Sequence, residues 1–187
     1  MKSPYYFIIT PEKNKRYDNT IDIDGMEFIS STSQEDFKFS NRVGIVQEIP
    51  LRYDGEIKKG DKVLVHHNVF KYYYDMKGKQ KSGRSFLKDN TFFVDETQFF
   101  AYKQNDTWNA YSKYCFVKPL KKKDYFIQKP GTSEPLVGEM KYINDELKIL
   151  GVSRGDIVAY EPNSEYEFQV DGEKLFRMYT NNITMIL

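Results

Sequence analysis

The sequence is poor in the residues on which protein chemistry most often depends. Its 187 residues include one cysteine, two histidines and one tryptophan. A single cysteine excludes an internal disulfide and fits a reducing cytoplasm. The 28 Lys and Arg residues almost balance the 27 Asp and Glu residues, so no excess charge attracts nucleic acid or an anionic membrane. No apolar run approaches the roughly 20 residues of a membrane-spanning helix, and the first residues do not resemble a signal peptide. We expect a cytoplasmic protein.

The few residues suited to catalysis do not form a recognisable site. His66 and His67 are adjacent within a predicted strand, and adjacent strand residues point to opposite faces, so they would not bind one ion together. Cys115 lies in another predicted strand and is expected to be a buried, inert thiol. No glycine-rich phosphate loop follows a strand and opens a helix. We therefore predict no catalytic residues, no metal, no cofactor and no enzyme activity.

Strand patterns dominate what is present. The chain has 15 Tyr and 14 Phe, and its hydrophobic share is 40%, which suits short strands with one buried face. Asn144–Leu150 has helical spacing, but we interpret it as a turn or irregular loop because it is short. Many short strands bounded by turns predict an all-β sandwich or barrel. The predicted strands are Tyr5–Ile9, Val43–Gln47, Lys62–Phe70, Phe92–Val94, Phe99–Tyr102, Tyr114–Val117, Ile157–Tyr160, Tyr166–Val170, Lys174–Met178 and Ile183–Leu187.

The chain also repeats itself. Lys59-Gly60-Asp61-Lys62-Val63 is echoed by Arg154-Gly155-Asp156-Ile157-Val158, and the Gly-Asp pairs are predicted to form the same structural turn before a strand. Phe7–Pro11 resembles Cys115–Pro119, and Gln98–Tyr102 resembles Asn182–Ile186, in the same order. Repeats of this size indicate duplicated domains. We predict one domain over residues 1–103 and a second over 110–187, joined through the polar stretch Gln104–Asn109.

The first copy has an insertion that the second lacks. Pro11 and Gly44 are 33 positions apart, whereas Pro119 and Gly138 are 19 apart. The longer loop, residues 12–42, contains two alternating segments, Thr20–Ile23 and Met26–Ile29, around an Asp24-Gly25 turn, which predicts a hairpin. Polar stretches precede and follow it. An apolar hairpin between polar arms suits partner binding, and the alternative is a hairpin that folds back on its own domain.

A second difference lies after the first Gly-Asp turn. The segment from Tyr72 to Arg84 interleaves tyrosine and lysine and includes a glycine-containing tip. Such a segment could stack on single-stranded nucleic acid. The favoured alternative is a solvated hairpin with tyrosine packed at its base, because the charge of the chain is balanced.

Taken together, these motifs resemble the GroES-type co-chaperonin family. The resemblance is carried by the hydrophobic-Lys-Pro start, the long loop, the Gly-Asp turn before a strand, Asp171-Gly172-Glu173-Lys174-Leu175 and Asn182-Ile183. It covers nearly the whole chain and implies two tandem GroES-like small β-barrels. In this family the long first loop is mobile and forms a hairpin on the apical domains of a chaperonin. The implied partner-binding residues are Ile21, Ile23, Gly25, Met26, Phe28 and Ile29.

The resemblance implies a function of binding alone. The chain would form a homo-oligomeric ring that caps an ATP-dependent, GroEL-like chaperonin and assists protein folding. One departure is that Glu27 interrupts the apolar segment, where the family has a Gly-Ile-Val-Leu-like run. The second copy, with only Lys121–Gly138 available, would lack a binding hairpin. The alternative is a ring-forming structural protein, such as a phage virion component, and a phage-encoded chain would act in the host cytoplasm.

Overall fold

The chain forms two compact units of antiparallel β-structure. The computed structural model describes residues 2–17, 20–23, 26–29, 40–121 and 133–187. One unit spans Met1–Asn105 and the other Asp106–Leu187. The chain passes from one to the other through Asn105 and Asp106, which both have positive φ. The prediction of a mostly β protein is confirmed.

The first unit is built from ten described strands and two short 3₁₀ turns. The first turn, Glu12–Asn14, opens the insertion, and the second, Glu96–Gln98, precedes the last strand of the unit. The strands are β1 (Phe7–Pro11), β2 (Thr20–Ile23), β3 (Met26–Ile29), β4 (Val43–Glu48), β5 (Lys62–Val65), β6 (Tyr72–Tyr74), β7 (Gln80–Ser82), β8 (Phe86–Lys88), β9 (Thr91–Val94) and β10 (Phe99–Gln104).

The second unit has seven described strands, one short helix and one 3₁₀ turn. The turn, Thr180–Asn182, again precedes the last strand. The elements are β11 (Thr107–Ala110), β12 (Tyr114–Lys121), β13 (Ser133–Tyr142), α1 (Asp145–Ile149), β14 (Ile157–Tyr160), β15 (Tyr166–Val170), β16 (Glu173–Tyr179) and β17 (Ile183–Ile186).

The two units share one strand order. In the first unit the order is β10-β5-β4-β1-β9-β8, and in the second it is β17-β14-β13-β12-β16-β15. The register repeats as well, because Pro11 faces Gly44 in one unit and Pro119 faces Gly138 in the other. The last strand of each unit also pairs with a register shift. In the first unit the shift lies between Phe99 and Ala101, where β10 pairs with β5, and in the second it lies in the pairing of β14 with β17.

The sheets are not closed by strand pairing among the described residues. Both run from one edge strand to another, so the closed barrels that the resemblance implies are not seen. β2 with β3, and β6 with β7, form separate two-stranded ribbons in the first unit. Within the described ranges, no helix has both the length and the apolar character that a membrane crossing requires.

Aromatic rings fill the interior of the first unit. The ring centroids of Phe7 and Phe99 are 4.8 Å apart, as are those of Phe70 and Phe92, and both pairs pack edge to face. All four side chains are buried, and burial of each contributes about 1.5–3 kcal/mol. Phe7, Phe92 and Phe99 lie on strands, whereas Phe70 lies in a turn after β5. Filling of this interior explains much of the richness in Phe and Tyr. The second unit has an equivalent interior around Val117, Met140, Val158 and Met178.

Several predicted strands were wrong in extent, among them two in the first unit. The strand expected over Lys62–Phe70 ends at Val65, and residues 67–70 form a turn. Phe70 is nevertheless fully buried, so its apolar character reflects core packing rather than strand alternation. The strand expected at Tyr5–Ile9 begins at Phe7 and continues to Pro11.

The interpretation of Asn144–Leu150 as a loop was wrong, because it contains the helix α1. The Asn144 Oδ1 accepts the Leu147 N–H at 3.0 Å and caps the helix. The Nδ2 of Asn144 donates to the Thr180 Oγ1 at 2.8 Å and to the Ser112 carbonyl. Leu147 is buried, so the helix is held by one core side chain and a buried cap. A helix of this length would be marginal alone.

Substitution of the helix cap tests this packing. Asn144→Ala should lower the free energy of unfolding by about 2–3 kcal/mol, because it removes the cap and leaves buried partners unsatisfied. Asn144→Ser keeps an oxygen for the Leu147 amide and should lose only about 1 kcal/mol. Asp145→Ala, on the exposed first turn, is the control and should change stability by under about 0.5 kcal/mol. Urea denaturation measures all three, and equal losses for Asn144→Ala and Asp145→Ala would contradict the account.

Candidate partner-binding site

The predicted hairpin in the first unit is present as the β2–β3 ribbon. Its register pairs Ile21 with Phe28 and Ile23 with Met26, which confirms the strand pairing expected from the sequence. Asp24 and Gly25 lie outside the described residues. Because alternate residues of a strand belong to the same face, positions 21, 23, 26 and 28 share one face and positions 20, 22, 27 and 29 share the other.

This register sorts the predicted binding residues. The apolar positions Ile21, Ile23, Met26 and Phe28 belong together, whereas Ile29 belongs to the opposite face. Glu27, which interrupts the apolar segment in the sequence, also lies at a position on that opposite face. Met26 is 62% exposed. The ribbon therefore has apolar residues at the four positions of one face, and the first residue of its second strand is an exposed methionine.

The insertion leaves and rejoins the sheet at one place, which we call the neck. Pro11 faces Gly44 on neighbouring strands, so the two ends of the insertion lie side by side. Beyond this pair, the Asn41 N–H donates to the Arg16 carbonyl at 2.8 Å, and Tyr17 and Ser40 form an isolated antiparallel β-bridge. The Asn41 Nδ2 donates to the carbonyls of Lys15 at 2.9 Å and Glu12 at 3.1 Å.

Arg16 anchors the neck on the body of the unit. Its side chain is buried, at 7% exposure. The Nε donates to the Asn90 Oδ1 at 2.9 Å, and the Nη1 donates to the Ser82 Oγ at 2.8 Å. The guanidinium also lies 4.2 Å from the Tyr72 ring centroid. Burial lowers the pKa of Arg16, opposed by Tyr72 and Tyr17, but an arginine stays charged in proteins.

Tyr17 makes the second connection of the neck. Its hydroxyl oxygen accepts the Tyr72 N–H at 2.8 Å, and the two rings stack with centroids 5.9 Å apart. Burial raises the pKa of the Tyr17 hydroxyl. Before Arg16 in the sequence, the Asn14 carbonyl accepts a hydrogen bond from the Asn90 Nδ2 at 2.8 Å.

Sequence reasoning missed this anchor because it treated residues 13–16 as a polar arm. Arg16 is polar in sequence but buried in the fold, since three aromatic rings and two side-chain oxygens surround it. The signal was indirect: Tyr72, Phe86 and Phe92 supply rings for a cation, but only the folded chain brings them to residue 16.

The second unit differs at the equivalent place. β12 and β13 pair as far as Lys121 and Ser133, beyond the Pro119–Gly138 pair. Residues 122–132 lie outside the described residues, so the expectation that this copy lacks a binding hairpin falls largely outside them as well. What the described residues establish is an antiparallel pair, with a register shift between Pro119 and Lys121, in place of the 3₁₀ turn and neck of the first unit.

The predicted Gly-Asp motif forms the same turn in both units. Gly60 and Gly155 have φ of 93° and 91°, a region that favours glycine. The Asp61 Oδ2 accepts the Lys58 N–H at 2.8 Å, and the Asp156 Oδ2 accepts the Ser153 N–H at 2.8 Å. The Gly N–H groups donate to Val46 and Met140 carbonyls at 2.8 Å. These residues therefore hold the chain at the start of β5 and β14.

The two histidines lie together, contrary to the expectation of opposite strand faces. Because the strand ends at Val65, His66 and His67 follow it, and their ring centroids are 4.1 Å apart. Burial lowers the pKa of His67, and the charges of His66, Arg42 and Lys71 lower it further, to about 4. In the described part of the chain, no three His, Cys, Asp or Glu residues are placed to hold a metal ion.

Cys115 is a buried thiol, as expected. Its side chain is fully buried, and burial raises its pKa to about 12. A thiol without thiolate character is a poor nucleophile.

The β6–β7 ribbon lies in the segment that was considered for stacking on nucleic acid. One of its tyrosines is packed within the unit, and two are exposed. Tyr72 packs against the neck, whereas Tyr73 and Tyr74 are about half exposed. Asp75 accepts the N–H groups of Lys77 and Lys79 at 2.9 Å and shapes the tip. The hydrogen bonds from Lys79 and Lys77 lower the pKa of Asp75.

Comparison with known proteins gave no family for the chain. No family model matches it, and no curated protein matches it. Its function is therefore inferred from its own residues and geometry.

The depressed pKa of His67 predicts a pH effect on stability. The unfolded chain binds a proton at this residue near pH 6.5, whereas the folded chain does so only near pH 4. The folded protein should therefore lose stability as pH falls from 6.5 towards 4. Above pH 6.5, His67 is neutral in both states and should not change the stability with pH. The loss should be about 1 kcal/mol after allowance for partial exposure.

Urea unfolding at several pH values measures this, with His67→Asn as the comparison. The stability difference between the native chain and the variant should change across the window, because carboxylate effects are common to both. A pH-independent difference would show that His67 titrates normally.

Proposed function

We propose that this chain is a co-chaperonin that caps an ATP-dependent chaperonin ring and binds it through the apolar face of the β2–β3 ribbon. The observation that carries the proposal is the register of that ribbon, which brings Ile21, Ile23, Met26 and Phe28 to positions on one face. A ribbon with one apolar face, inserted between two core strands, is suited to docking in a groove of another protein.

The repeated architecture supports a finer assignment, that of two tandem GroES-like barrels. Six strands of each unit follow the same order, and each unit has the same Gly-Asp turn and the same 3₁₀ turn before its last strand. A duplicated small β domain with a loop inserted after its first strand fits the family that the sequence resembles. On this proposal the second unit serves as scaffold while the first carries the docking ribbon.

The energetics favour a weak contact that a ring multiplies. Burial of four apolar side chains would contribute roughly 1.5–3 kcal/mol each. Ordering of a two-stranded ribbon on binding costs about 2–5 kcal/mol, and association itself costs more. Each ribbon alone would therefore bind weakly. A homo-oligomeric ring presents several ribbons at once and gains avidity without any further contact. Hydrolysis of ATP would belong to the partner.

A second candidate is a ring-forming structural protein, for example a phage virion component. It is favoured by β17, which forms an edge of its sheet among the described strands and carries exposed apolar residues. Met185 is 61% exposed and Ile186 is 53% exposed. An edge strand without charged residues is suited to pairing with another chain. In that case the β2–β3 ribbon would clasp a neighbouring subunit.

A capture experiment with matched variants tests the proposal. A tagged chain is incubated with a GroEL-like chaperonin with and without ATP. Phe28→Asp should weaken nucleotide-dependent capture by roughly 30-fold or more, because it places a charge on the apolar face. Ile29→Asp is the matched control, since it changes a neighbouring apolar residue at a position on the opposite face, and it should retain capture.

The oligomeric state of each variant, measured by mass photometry, separates the candidates. Capture that is absent in the native chain, together with ring assembly lost in Phe28→Asp, would favour the structural protein. Equal loss of capture in both variants would mean that the face defined by the register is not the binding surface.

A further inference from the structure

The neck of the insertion is held by several side-chain hydrogen bonds that the proposed binding does not use. Arg16 connects three separate segments: Ser82 at the end of β7, Asn90 in the turn between β8 and β9, and the ring of Tyr72 on β6. Tyr17 adds a bond to the Tyr72 backbone. The neck is therefore held by side chains far away in sequence.

The chemistry at this position is specific to arginine. A planar guanidinium can stack on rings while its N–H groups bond two acceptors in different directions. The Tyr72, Phe86 and Phe92 centroids lie 4.2, 4.7 and 4.7 Å from its central carbon. A lysine would keep the charge but could not reproduce the stacked plane and both bonds together. The surroundings of residue 16 thus select for shape as well as charge.

We infer that Arg16 is a positioning residue, which fixes the root of the β2–β3 ribbon on the β6–β7 and β8–β9 hairpins so that the ribbon is presented to a partner in a restricted range of directions. A two-stranded ribbon is marginally stable alone, and β2–β3 pairs with no further strand among those described. A fixed root lowers the entropy that the ribbon loses on binding, which is preorganisation. The role in partner affinity rests on the proposed function.

The inference also assigns a role to β6–β7. Its first residue, Tyr72, stacks on Tyr17 and lies under Arg16, so this ribbon supports the neck. Tyr72, one of the tyrosines in the segment considered for nucleic-acid stacking, is therefore packed within the first unit.

The test compares Arg16→Lys and Tyr17→Phe with the native chain. Arg154→Lys is the matched control, because the Arg154 Nη2 also bonds a carbonyl and a side-chain oxygen, those of Trp108 and Asn109, in the other unit. Amide hydrogen exchange is measured at Asn41 and Tyr72, whose N–H groups bond to Arg16 and Tyr17. The Val46 amide, which bonds to Asp61 in the same unit, reports on the rest of the fold.

In both neck variants, exchange at Asn41 and Tyr72 should accelerate about tenfold or more, while Val46 stays within about twofold of the native rate. A spin label on Met26→Cys provides a second readout that needs no partner, and buried Cys115 does not compete for the label. The label should become more mobile in Arg16→Lys and stay unchanged in Arg154→Lys. Chaperonin affinity should fall roughly tenfold in the neck variants.

Three results would overturn the inference: unchanged exchange at both neck amides, equal acceleration at Val46, or a label whose mobility does not respond to Arg16→Lys. If the native chain binds no chaperonin, the proposed function fails, and the exchange and label data still decide whether Arg16 positions the ribbon. If the native chain binds and the neck variants bind equally well, Arg16 does not position the ribbon for this partner.

Discussion

The antiparallel pairing of β1 with β4 is the constraint on which the rest of the first unit depends. Pro11 faces Gly44 across this pair, and Pro119 faces Gly138 in the second unit. Proline lacks an N–H, so it is tolerated at the end of a strand, as at Pro11, or beside a register shift, as at Pro119. At Gly138, a Cβ would lie 2.7 Å from the Lys118 carbonyl oxygen, which explains a glycine at this crossing. Because β1 and β4 pair side by side, the insertion between them begins and ends at neighbouring positions, which form the neck.

The two units differ at this strand pair, and the difference gives the chain its asymmetry. In the second unit, β12 and β13 continue to pair beyond the proline. In the first, the chain turns at Glu12–Asn14, passes the buried Arg16 and enters a separate ribbon. Insertions cost little in closure entropy, so what requires explanation is the anchoring. A buried arginine with two side-chain acceptors is costly to assemble, and its presence at the root indicates that the direction of the ribbon matters.

Features set by local chemistry could be predicted from the sequence, and features set by distant contacts could not. The Gly-Asp turns and the β2–β3 pairing follow from nearby residues. α1 was missed because its cap depends on Thr180 and Ser112, which a short window does not contain. The side-by-side histidines were missed because Phe70 is apolar for packing, which extended the predicted strand too far. Arg16 was missed because its rings come from β6, β8 and β9. Closure into barrels, implied only by resemblance, is not seen in the strand pairing of the described residues.

The central claim is that the first unit carries the binding element on its ribbon. Site-specific photocrosslinking tests it most directly, with a photoreactive residue placed at Met26 or, separately, at Met185, both exposed in the free chain. In the presence of a chaperonin and ATP, the account predicts a crosslink to the chaperonin from position 26 and none from position 185. A chaperonin crosslink from position 185 alone, or crosslinks from position 26 only to other copies of this chain, would contradict it.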